Sequence, residues 1–175
     1  MPEIVKAKIR DIPNFPKPGI IFKDITTAIK CPSTFKRIVD YMTAEFKDQK
    51  IDYVAGIESR GFIFGAPVAY NLDAGLIIIR KPGKLPASVE KVTYDLEYGT
   101  DSVEIHKDAI ESGKRILVID DLLATGGTAA ATIELIEKTG GVPAGIGFVV
   151  ELTFLNGIKK FERFGDAKII SMVKY

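Results

Sequence analysis

The most informative segment of this chain reads VIDDLLATGGTAA, from Val118 to Ala130. It continues the apolar run 115–119, a pattern typical of a β-strand that helices cover on both faces. Two carboxylates, Asp120 and Asp121, come at the end of that run. Small and hydroxyl-bearing residues then lead directly into a helical pattern over residues 128–138. The segment therefore predicts a strand, a tight loop and a helix, with both acids and the loop at the same strand end.

The loop after this strand has the composition of an anion-binding site. Adjacent glycines allow the backbone N–H groups to turn inward, and the following helix presents unpaired amides and the positive end of its dipole. Carboxylates just before such a loop can accept hydrogen bonds from sugar hydroxyls. The predicted ligand is a ribose 5-phosphate. Its ribose would contact Asp120 and Asp121, and its phosphate would be held by Ala124, Thr125, Gly126, Gly127 and Thr128.

Other interpretations of this segment explain less of it. The chain contains no Gly-x-x-x-x-Gly-Lys-Ser/Thr motif and no Gly-x-Gly-x-x-Gly after a strand, which excludes a P-loop and a dinucleotide fingerprint. Taken singly, the aspartates could be helix-capping or surface acids, and the glycines could belong to an ordinary loop. Their contiguity behind one buried strand favours a binding site.

Strand-like and helical patterns alternate along the chain, which predicts an α/β fold. Parallel strands joined by right-handed crossovers bind ligands at the carboxyl ends of the strands, where Asp120 and the glycine-rich loop lie. No repeat, linker or charge block divides the chain, so we expect one domain over residues 1–175. The strand-like runs are 52–57, 76–79, 115–119, 144–150 and 168–172, and the helical patterns are 33–46, 62–70 and 128–138.

A second anion site is predicted where the run 52–57 gives way to a helix. Arg60 offers a forked cation, Ser59 a hydroxyl and Gly61 an unobstructed backbone, a set that suits a diphosphate group. In isolation, Arg60 could equally be a surface residue beside a helix start. Because it follows a second strand of the same sheet, we expect it at the same edge as Asp120.

Several separate motifs in this chain resemble those of the type I phosphoribosyltransferases, which bind phosphoribosyl diphosphate (PRPP). The resemblance implies an open, mostly parallel twisted sheet flanked by helices, with a flexible hood over the site. It also implies Mg²⁺ that is bound through PRPP and water, without direct protein ligands. The form DDLLATGGT is similar to that of family members that act on adenine. The matching motifs are NFPxPG from Asn14, ESRGF from Glu58, RKxGKLP from Arg80, LEYG from Leu96, DDLLATGGT from Asp120, and Glu151-Leu152.

The aperiodic segment that begins at Lys81 matches the family's flexible catalytic loop, here residues 81–107. The resemblance implies that Glu97 and Tyr98 are its catalytic pair, with Glu97 as the base for the purine N–H, although a solvated loop carboxylate is the simpler interpretation of Glu97. Arg60 is expected to act in catalysis at the diphosphate loop, whose Ser-Arg type peptide is commonly cis in the family. The cations expected near the leaving diphosphate are Arg80, Lys81 and Lys84, and Arg80 is expected to reach a neighbouring subunit of a homodimer.

The amino-terminal segment, residues 1–30, matches the part of the family that recognises the base. The resemblance implies that Phe22 stacks on adenine, that backbone groups of Ile21 and Lys23 bind its edge, and that Leu152 closes the opposite face. Without the resemblance, Phe22 would be assigned to the core. Lys23 departs from the arginine of many relatives, which a main-chain contact would tolerate.

Composition narrows the class of protein further. The 24 basic and 23 acidic residues leave no basic excess for nucleic acid or an anionic membrane. No signal segment or membrane-spanning run is present, and a single cysteine and a single histidine leave too few ligands for a zinc site. We therefore expect a cytoplasmic enzyme that transfers the phosphoribosyl group of PRPP to adenine. The alternatives are the same chemistry on a 6-oxopurine or an orotate-like base, and a non-catalytic PRPP-sensing regulator.

Overall fold

A computed structural model of the protein describes residues 2–96, 99–165 and 167–175. Five strands form the central sheet, and two small antiparallel sheets lie beside it. In chain order the elements are α1 (Pro2–Lys6), β1 (Arg10–Pro13), β2 (Ile21–Asp24), α2 (Thr26–Lys30), α3 (Pro32–Phe46), β3 (Tyr53–Ile57), α4 (Gly61–Asn71), β4 (Gly75–Ile79), β5 (Val89–Asp95), β6 (Thr100–His106), β7 (Arg115–Leu123), α5 (Gly127–Lys138), β8 (Val142–Glu151) and β9 (Lys168–Lys174), with 3-10 helices at Thr153–Leu155 and Gly157–Phe164.

The central sheet is parallel throughout, with the strand order β4-β3-β7-β8-β9. All five strands were predicted from the sequence, as were α3, α4 and α5. The predicted α/β fold class is therefore confirmed. Because the strands are parallel, their carboxyl ends meet at one edge of the sheet, and the segments after β3 and β7 lie next to each other there.

The central strand β7 shows why the apolar run was informative. Ile116 and Val118 pack in one core cluster, on the face that α5 covers, whereas Leu117 and Ile119 pack in the other, on the face that α3 and α4 cover. All four side chains are fully buried. A strand buried on both faces needs apolar residues at every position, so its pattern is continuous rather than alternating.

The two small sheets were not predicted. Strands β1 and β2 pair in the amino-terminal segment, and β5 pairs with β6 within residues 81–107. The segment whose sequence pattern is aperiodic from Lys81 is therefore regular in the structure from Val89, where β5 begins. The hairpin buries only a few apolar side chains, among them Val92 and Val103, and a hydroxyl pair, Thr93 with Ser102, links its strands. Such a mixed pattern gives a weak strand signal.

Candidate active site

The glycine-rich loop joins β7 to α5 and has the close packing that its sequence suggests. Gly126 has φ of +77°, and a Cβ atom there would lie 2.6 Å from the carbonyl oxygen of Gly157. Only glycine fits this position without a shift of the backbone. The first turn of α5 begins at Gly127, so its amides face a small cavity lined by Asp120, Phe148 and residues 122–129.

The two aspartates lie within β7 rather than after it, because the strand continues to Leu123. The buried side chain of Asp121 pairs with Arg60, whose Nε lies 2.6 Å from Asp121 Oδ2. Asp120 Oδ1 accepts a hydrogen bond of 2.8 Å from the backbone N–H of Asp121. The ion pair joins the strand that precedes the phosphate loop to the predicted diphosphate segment.

The pKa of Asp120 is raised well above the ordinary value for an aspartate. Desolvation by burial is the main cause, and the neighbouring charge of Asp121 adds to it. A neutral carboxyl group can donate as well as accept a hydrogen bond. The adjacent acids can therefore present different hydrogen-bonding groups to a sugar.

Ser59 and Arg60 lie between the carboxyl end of β3 and α4, and Gly61 is the first residue of α4. A Cβ atom at Gly61 would lie 2.7 Å from the carbonyl oxygen of Ile119, so glycine allows this segment to pack closely against β7. The resemblance implied a cis bond between Ser59 and Arg60. The structure instead has the cis bond one position earlier, between Glu58 and Ser59.

Glu58 holds together the cations that follow β4, a role that the sequence did not suggest. Its Oε2 accepts hydrogen bonds from Arg80 Nε at 2.9 Å and from the backbone N–H of Lys81 at 2.7 Å. Lys84 Nζ lies 3.8 Å from the other carboxylate oxygen. Burial opposes ionisation of Glu58, but the hydrogen bonds from Arg80 and Lys81 prevail and lower its pKa. The carboxylate therefore stays charged and fixes the cations beside the sheet edge.

The predicted ribose, phosphate and diphosphate segments line one cavity of about 410 Å³. Arg60 and Lys81 bring positive charge to the same cavity that the carboxylates of β7 line. The predicted proximity of these segments is thus found, and their ligand roles stay predictions. The lining residues are Glu58, Ser59, Arg60, Lys81, Asp120, Asp121, Leu122, Ala124 and Thr128.

A second, mainly apolar cavity of about 790 Å³ lies beside the phosphate loop. Ile21, Lys23 and Leu152, all predicted to contact the base, line it together with Thr125. The ammonium group of Lys23 is 2.7 Å from Asp11 Oδ1, so the side chain is occupied by an ion pair. Its backbone remains the part of Lys23 that would contact a base.

Phe22 is half-buried between the amino-terminal segment and the predicted diphosphate segment. Its ring lies 5.2 Å from that of Phe15, in an edge-on arrangement, and 5.7 Å from the guanidinium carbon of Arg60. Arg60 therefore contacts both Asp121 and the ring predicted to stack on the base. Stacking by Phe22 stays a prediction.

The sequence and the fold of this chain are shared with known proteins. The phosphoribosyl transferase domain matches residues 26–161. The chain belongs to the phosphoribosyltransferase family. An adenine phosphoribosyltransferase of Acaryochloris marina is 54% identical over 171 residues, which cover 98% of this chain and 99% of that protein.

Solved phosphoribosyltransferase structures agree with the fold. The crystal structure of adenine phosphoribosyltransferase from Thermoanaerobacter pseudethanolicus has a TM-score of 0.94 and 48% identity, with all of both chains covered. The Saccharomyces cerevisiae enzyme, complexed with D-2,5-dideoxy-2,5-imino-altritol 1,6-bisphosphate and adenine, has a TM-score of 0.89 and 39% identity, covering 98% of this chain and 97% of that one. The predicted family and the type I phosphoribosyltransferase fold are confirmed.

Of the predicted hood, residues 81–107, the structure describes all but residues 97 and 98. Glu97 and Tyr98, the predicted catalytic pair, lie outside the described residues. Beside them, the backbone N–H of Leu96 donates to the carbonyl of Gly99 at 2.9 Å. Within the described ranges, no helix is long and apolar enough to cross a membrane, and no group of three or more His, Cys, Asp or Glu side chains could hold a metal ion.

Proposed function

We propose that this phosphoribosyltransferase transfers the 5-phosphoribosyl group from PRPP to adenine, giving AMP and pyrophosphate. One observation carries the proposal: a single cavity joins the phosphate loop and two carboxylates to a cationic segment, and an apolar cavity of base-accommodating size shares the loop with it. The choice of adenine is supported by relatives that are adenine phosphoribosyltransferases at about half identity over nearly the whole chain.

PRPP would lie along the carboxyl edge of the sheet. Its 5-phosphate would accept hydrogen bonds from the loop amides, including the backbone N–H of Thr128, and from the hydroxyl group of Thr125, and its ribose hydroxyls would contact Asp120 and Asp121. Its diphosphate would lie against Ser59, Arg60 and Gly61. Lys81, with Arg80 and Lys84, would supply the remaining positive charge.

The reaction exchanges one bond at C1 of the ribose for another, with inversion. The bond from C1 to the diphosphate oxygen breaks, its electron pair leaves with pyrophosphate, and a nitrogen lone pair of adenine forms the new bond to C1. The purine N–H proton would pass to Glu97. Arg60 and the cations after β4 would stabilise the charge that develops on pyrophosphate, and the hood would exclude water from the oxocarbenium-like carbon.

Magnesium is proposed as the cofactor, carried by PRPP. The ion prefers phosphate oxygens and water over protein ligands, and when bound it would neutralise part of the charge of the leaving diphosphate. Two carboxylates and several cations at one cavity suit a metal-bound diphosphate better than a dedicated protein cage. None of the protein's own side chains is proposed as a direct ligand.

Adenine would be selected by backbone polarity rather than by a charged side chain. Backbone groups of Ile21 and Lys23 would distinguish a 6-amino from a 6-oxo group, because the wrong base leaves a buried polar group unpaired, at a cost of about 1–3 kcal/mol. Phe22 and Leu152 would cover the two faces of the ring. The segment 149–153 contains no lysine that could hold an oxo group.

We further infer a homodimer. Helix α4 and the edge strand β4 expose an apolar patch formed by Ile63, Tyr70, Leu76 and Ile78, which are 39%, 87%, 44% and 38% exposed. Exposed apolar side chains on an edge strand and on the helix beside it are typical of an interaction surface. Arg80 follows β4 directly, so a partner on this patch would lie next to the cations of the site.

The single cysteine supports a cytoplasmic location.

The test is a turnover panel with the purified protein, PRPP, Mg²⁺ and, separately, adenine, hypoxanthine, guanine and orotate. We expect AMP and pyrophosphate from adenine and a kcat/KM about 5- to 150-fold lower with the other bases, since an unpaired buried polar group costs about 1–3 kcal/mol. Faster conversion of another base would contradict the base pocket. Absence of turnover with intact PRPP binding would contradict the enzyme and favour a sensor.

A further inference from the structure

The hydroxyl group of Tyr94 connects two segments that are predicted to bind opposite ends of PRPP. Tyr94 Oη, near the end of β5, lies 3.1 Å from Lys81 Nζ, 3.1 Å from Asp101 Oδ2 and 2.9 Å from Thr128 Oγ1. Lys81 and Thr128 line the central cavity together. Under the proposed function, Lys81 binds the diphosphate of PRPP and Thr128 binds its 5-phosphate. The hydroxyl group of Tyr94 therefore contacts one residue from each of the two phosphate-binding segments.

The direction of each hydrogen bond follows from chemistry. An ammonium group only donates, a carboxylate only accepts, and a phenol has a single proton. Tyr94 therefore donates to Asp101 and accepts from Lys81, and Thr128 donates to the remaining lone pair of Tyr94. Asp101 also forms an ion pair with Lys81. Because every hydrogen-bonding position of the phenol oxygen is filled, movement of one partner affects the others.

The ring of Tyr94 fixes the end of β5 against the start of α5. A Cβ atom at Gly127 would lie 3.0 Å from Tyr94 Cδ2 and 3.7 Å from the carbonyl oxygen of Asp95. Glycine at this position therefore allows the hood strand to rest on the first turn of the phosphate-binding helix. Glu97 follows Tyr94 by three residues, so the contact also sets where this strand approaches the site.

We propose that Tyr94 is a positioning residue for PRPP: its hydroxyl holds Lys81 and Thr128 at the separation that the two phosphate ends of one PRPP molecule require. This inference rests on the proposed function and adds to it a residue that lies outside the family motifs quoted above. It has a specific consequence. A substitution at Thr128 should change the affinity for a ligand at the diphosphate end, and this effect should depend on the hydroxyl group of Tyr94.

The first test is Tyr94→Phe, which keeps the ring on Gly127 and removes only the hydroxyl. We expect KM for PRPP to rise about tenfold, while KM for adenine stays within about twofold, since the lost hydrogen bonds involve only the PRPP side. The matched control is Tyr53→Phe. Tyr53 lies at the amino end of β3, on the edge of the sheet opposite the site, and its hydroxyl group donates a hydrogen bond to Glu111. Removal of this hydroxyl group should leave both KM values unchanged. A KM for PRPP within twofold of wild type in Tyr94→Phe would overturn the proposal.

A matched pair of aspartates separates the network from a general effect of lost charge. Asp101 and Asp52 each form an ion pair with one lysine and accept a hydrogen bond from one backbone N–H. Their side chains are 32% and 34% exposed, respectively. We expect Asp101→Asn to change KM for PRPP and Asp52→Asn to leave it unchanged. Equal behaviour of the two variants would count against a role for the network.

The second test measures binding of inorganic pyrophosphate by calorimetry. In the protein that keeps Tyr94, Thr128→Val should weaken pyrophosphate binding about three- to tenfold, whereas in the Tyr94→Phe background the same substitution should have no effect. Thr128→Ser keeps the hydroxyl group and should bind pyrophosphate as the wild-type protein does. If Tyr94→Phe fails to fold, Thr128→Val alone decides: unchanged pyrophosphate affinity would overturn the proposal. If the wild-type protein converts no base, the proposed function fails, yet this binding experiment still tests Tyr94.

Discussion

Asp120 and Asp121 are adjacent in sequence but differ in their electrostatic surroundings. Asp121 is paired with Arg60, whereas burial and the charge of Asp121 raise the pKa of Asp120. A carboxyl whose pKa is raised is protonated more readily, and so comes closer to an amide, than a carboxylate held in an ion pair. The two aspartates should therefore respond differently to the same substitution.

We predict that Asp121→Asn will raise KM for PRPP about 10- to 100-fold, because a charge-assisted hydrogen bond contributes about 1.5–3 kcal/mol. Asp120→Asn is the matched variant and should have a clearly smaller effect. Steady-state kinetics with PRPP as the varied substrate distinguish the two. Equal losses in both variants would contradict the difference between the two carboxyl groups.

The raised pKa of Asp120 also predicts a pH dependence of stability. The folded protein binds this proton more tightly than the unfolded chain, so the contribution of Asp120 is favourable below the ordinary value of 3.8 and is lost as pH rises through the raised folded pKa. Asp120→Asn cannot ionise. Its Tm should exceed that of wild type at pH 8, by about 2–4 °C for each kcal/mol relieved, and the difference should shrink towards pH 4. A difference that is constant with pH would refute the prediction.

Some residues of the site could not be predicted from the sequence. Asp120, Arg60 and the glycines were found because each follows a recognisable strand. Tyr94 has no such signal, and Glu58 directly follows β3 but its sequence position does not reveal its role. The partners of Glu58 and Tyr94, Arg80 and Thr128, are 22 and 34 positions away. A side chain whose role depends on a distant partner becomes recognisable only once the fold brings the two together.

At the scale of elements, burial on both faces explains what the sequence could predict. Strands β3, β7 and β8 lie inside the sheet, and their continuous apolar runs placed them to within a few residues. The hairpins β1–β2 and β5–β6 are two-stranded and lie outside the central sheet, so their polar and apolar residues alternate imperfectly. Their pairing depends on packing against the rest of the molecule, which local pattern does not contain.

The junction of β7 and α5 gives a prediction at this scale. In Gly126→Ala, the left-handed backbone costs roughly 1–2 kcal/mol, and the new methyl group also meets the backbone of Gly157. Gly140→Ala is the control, because Gly140 has φ of +85° but its Cβ would have 3.5 Å of clearance. We expect both variants to lower the Tm, Gly126→Ala more, and only Gly126→Ala to weaken binding of ribose 5-phosphate. Unchanged binding in Gly126→Ala would mean that the phosphate lies elsewhere.

At the scale of the whole molecule, the site is a product of the sheet topology. Its two main segments come from strands that are neighbours in space but separated in sequence by β4 and the hood hairpin. The parallel order brings their carboxyl ends together, which is why the predicted alternation of strands and helices was enough to place both at one edge. The sequence alone did not predict that Arg60 pairs with Asp121 or that Tyr94 contacts Thr128. Both contacts become visible only in the three-dimensional structure.

The apolar patch on α4 and β4 carries the last prediction, which concerns assembly. Wild-type protein should sediment with the mass of two chains of 19.1 kDa each. Ile63→Lys places a charge in the patch and should yield single chains at micromolar concentration. Val142→Lys, at a comparably exposed position at the amino end of β8, should remain dimeric.

Activity then tests whether the interface serves the site. Because Arg80 directly follows the patch strand, activity per chain in Ile63→Lys should rise with protein concentration in parallel with the dimer fraction, and the Tm should rise with it because association stabilises the folded chain. Full activity of the single chain would show that each site is complete within one subunit. In that case the patch would stabilise the assembly without contributing to catalysis, and the cation cluster organised by Glu58 would act on the diphosphate of its own chain.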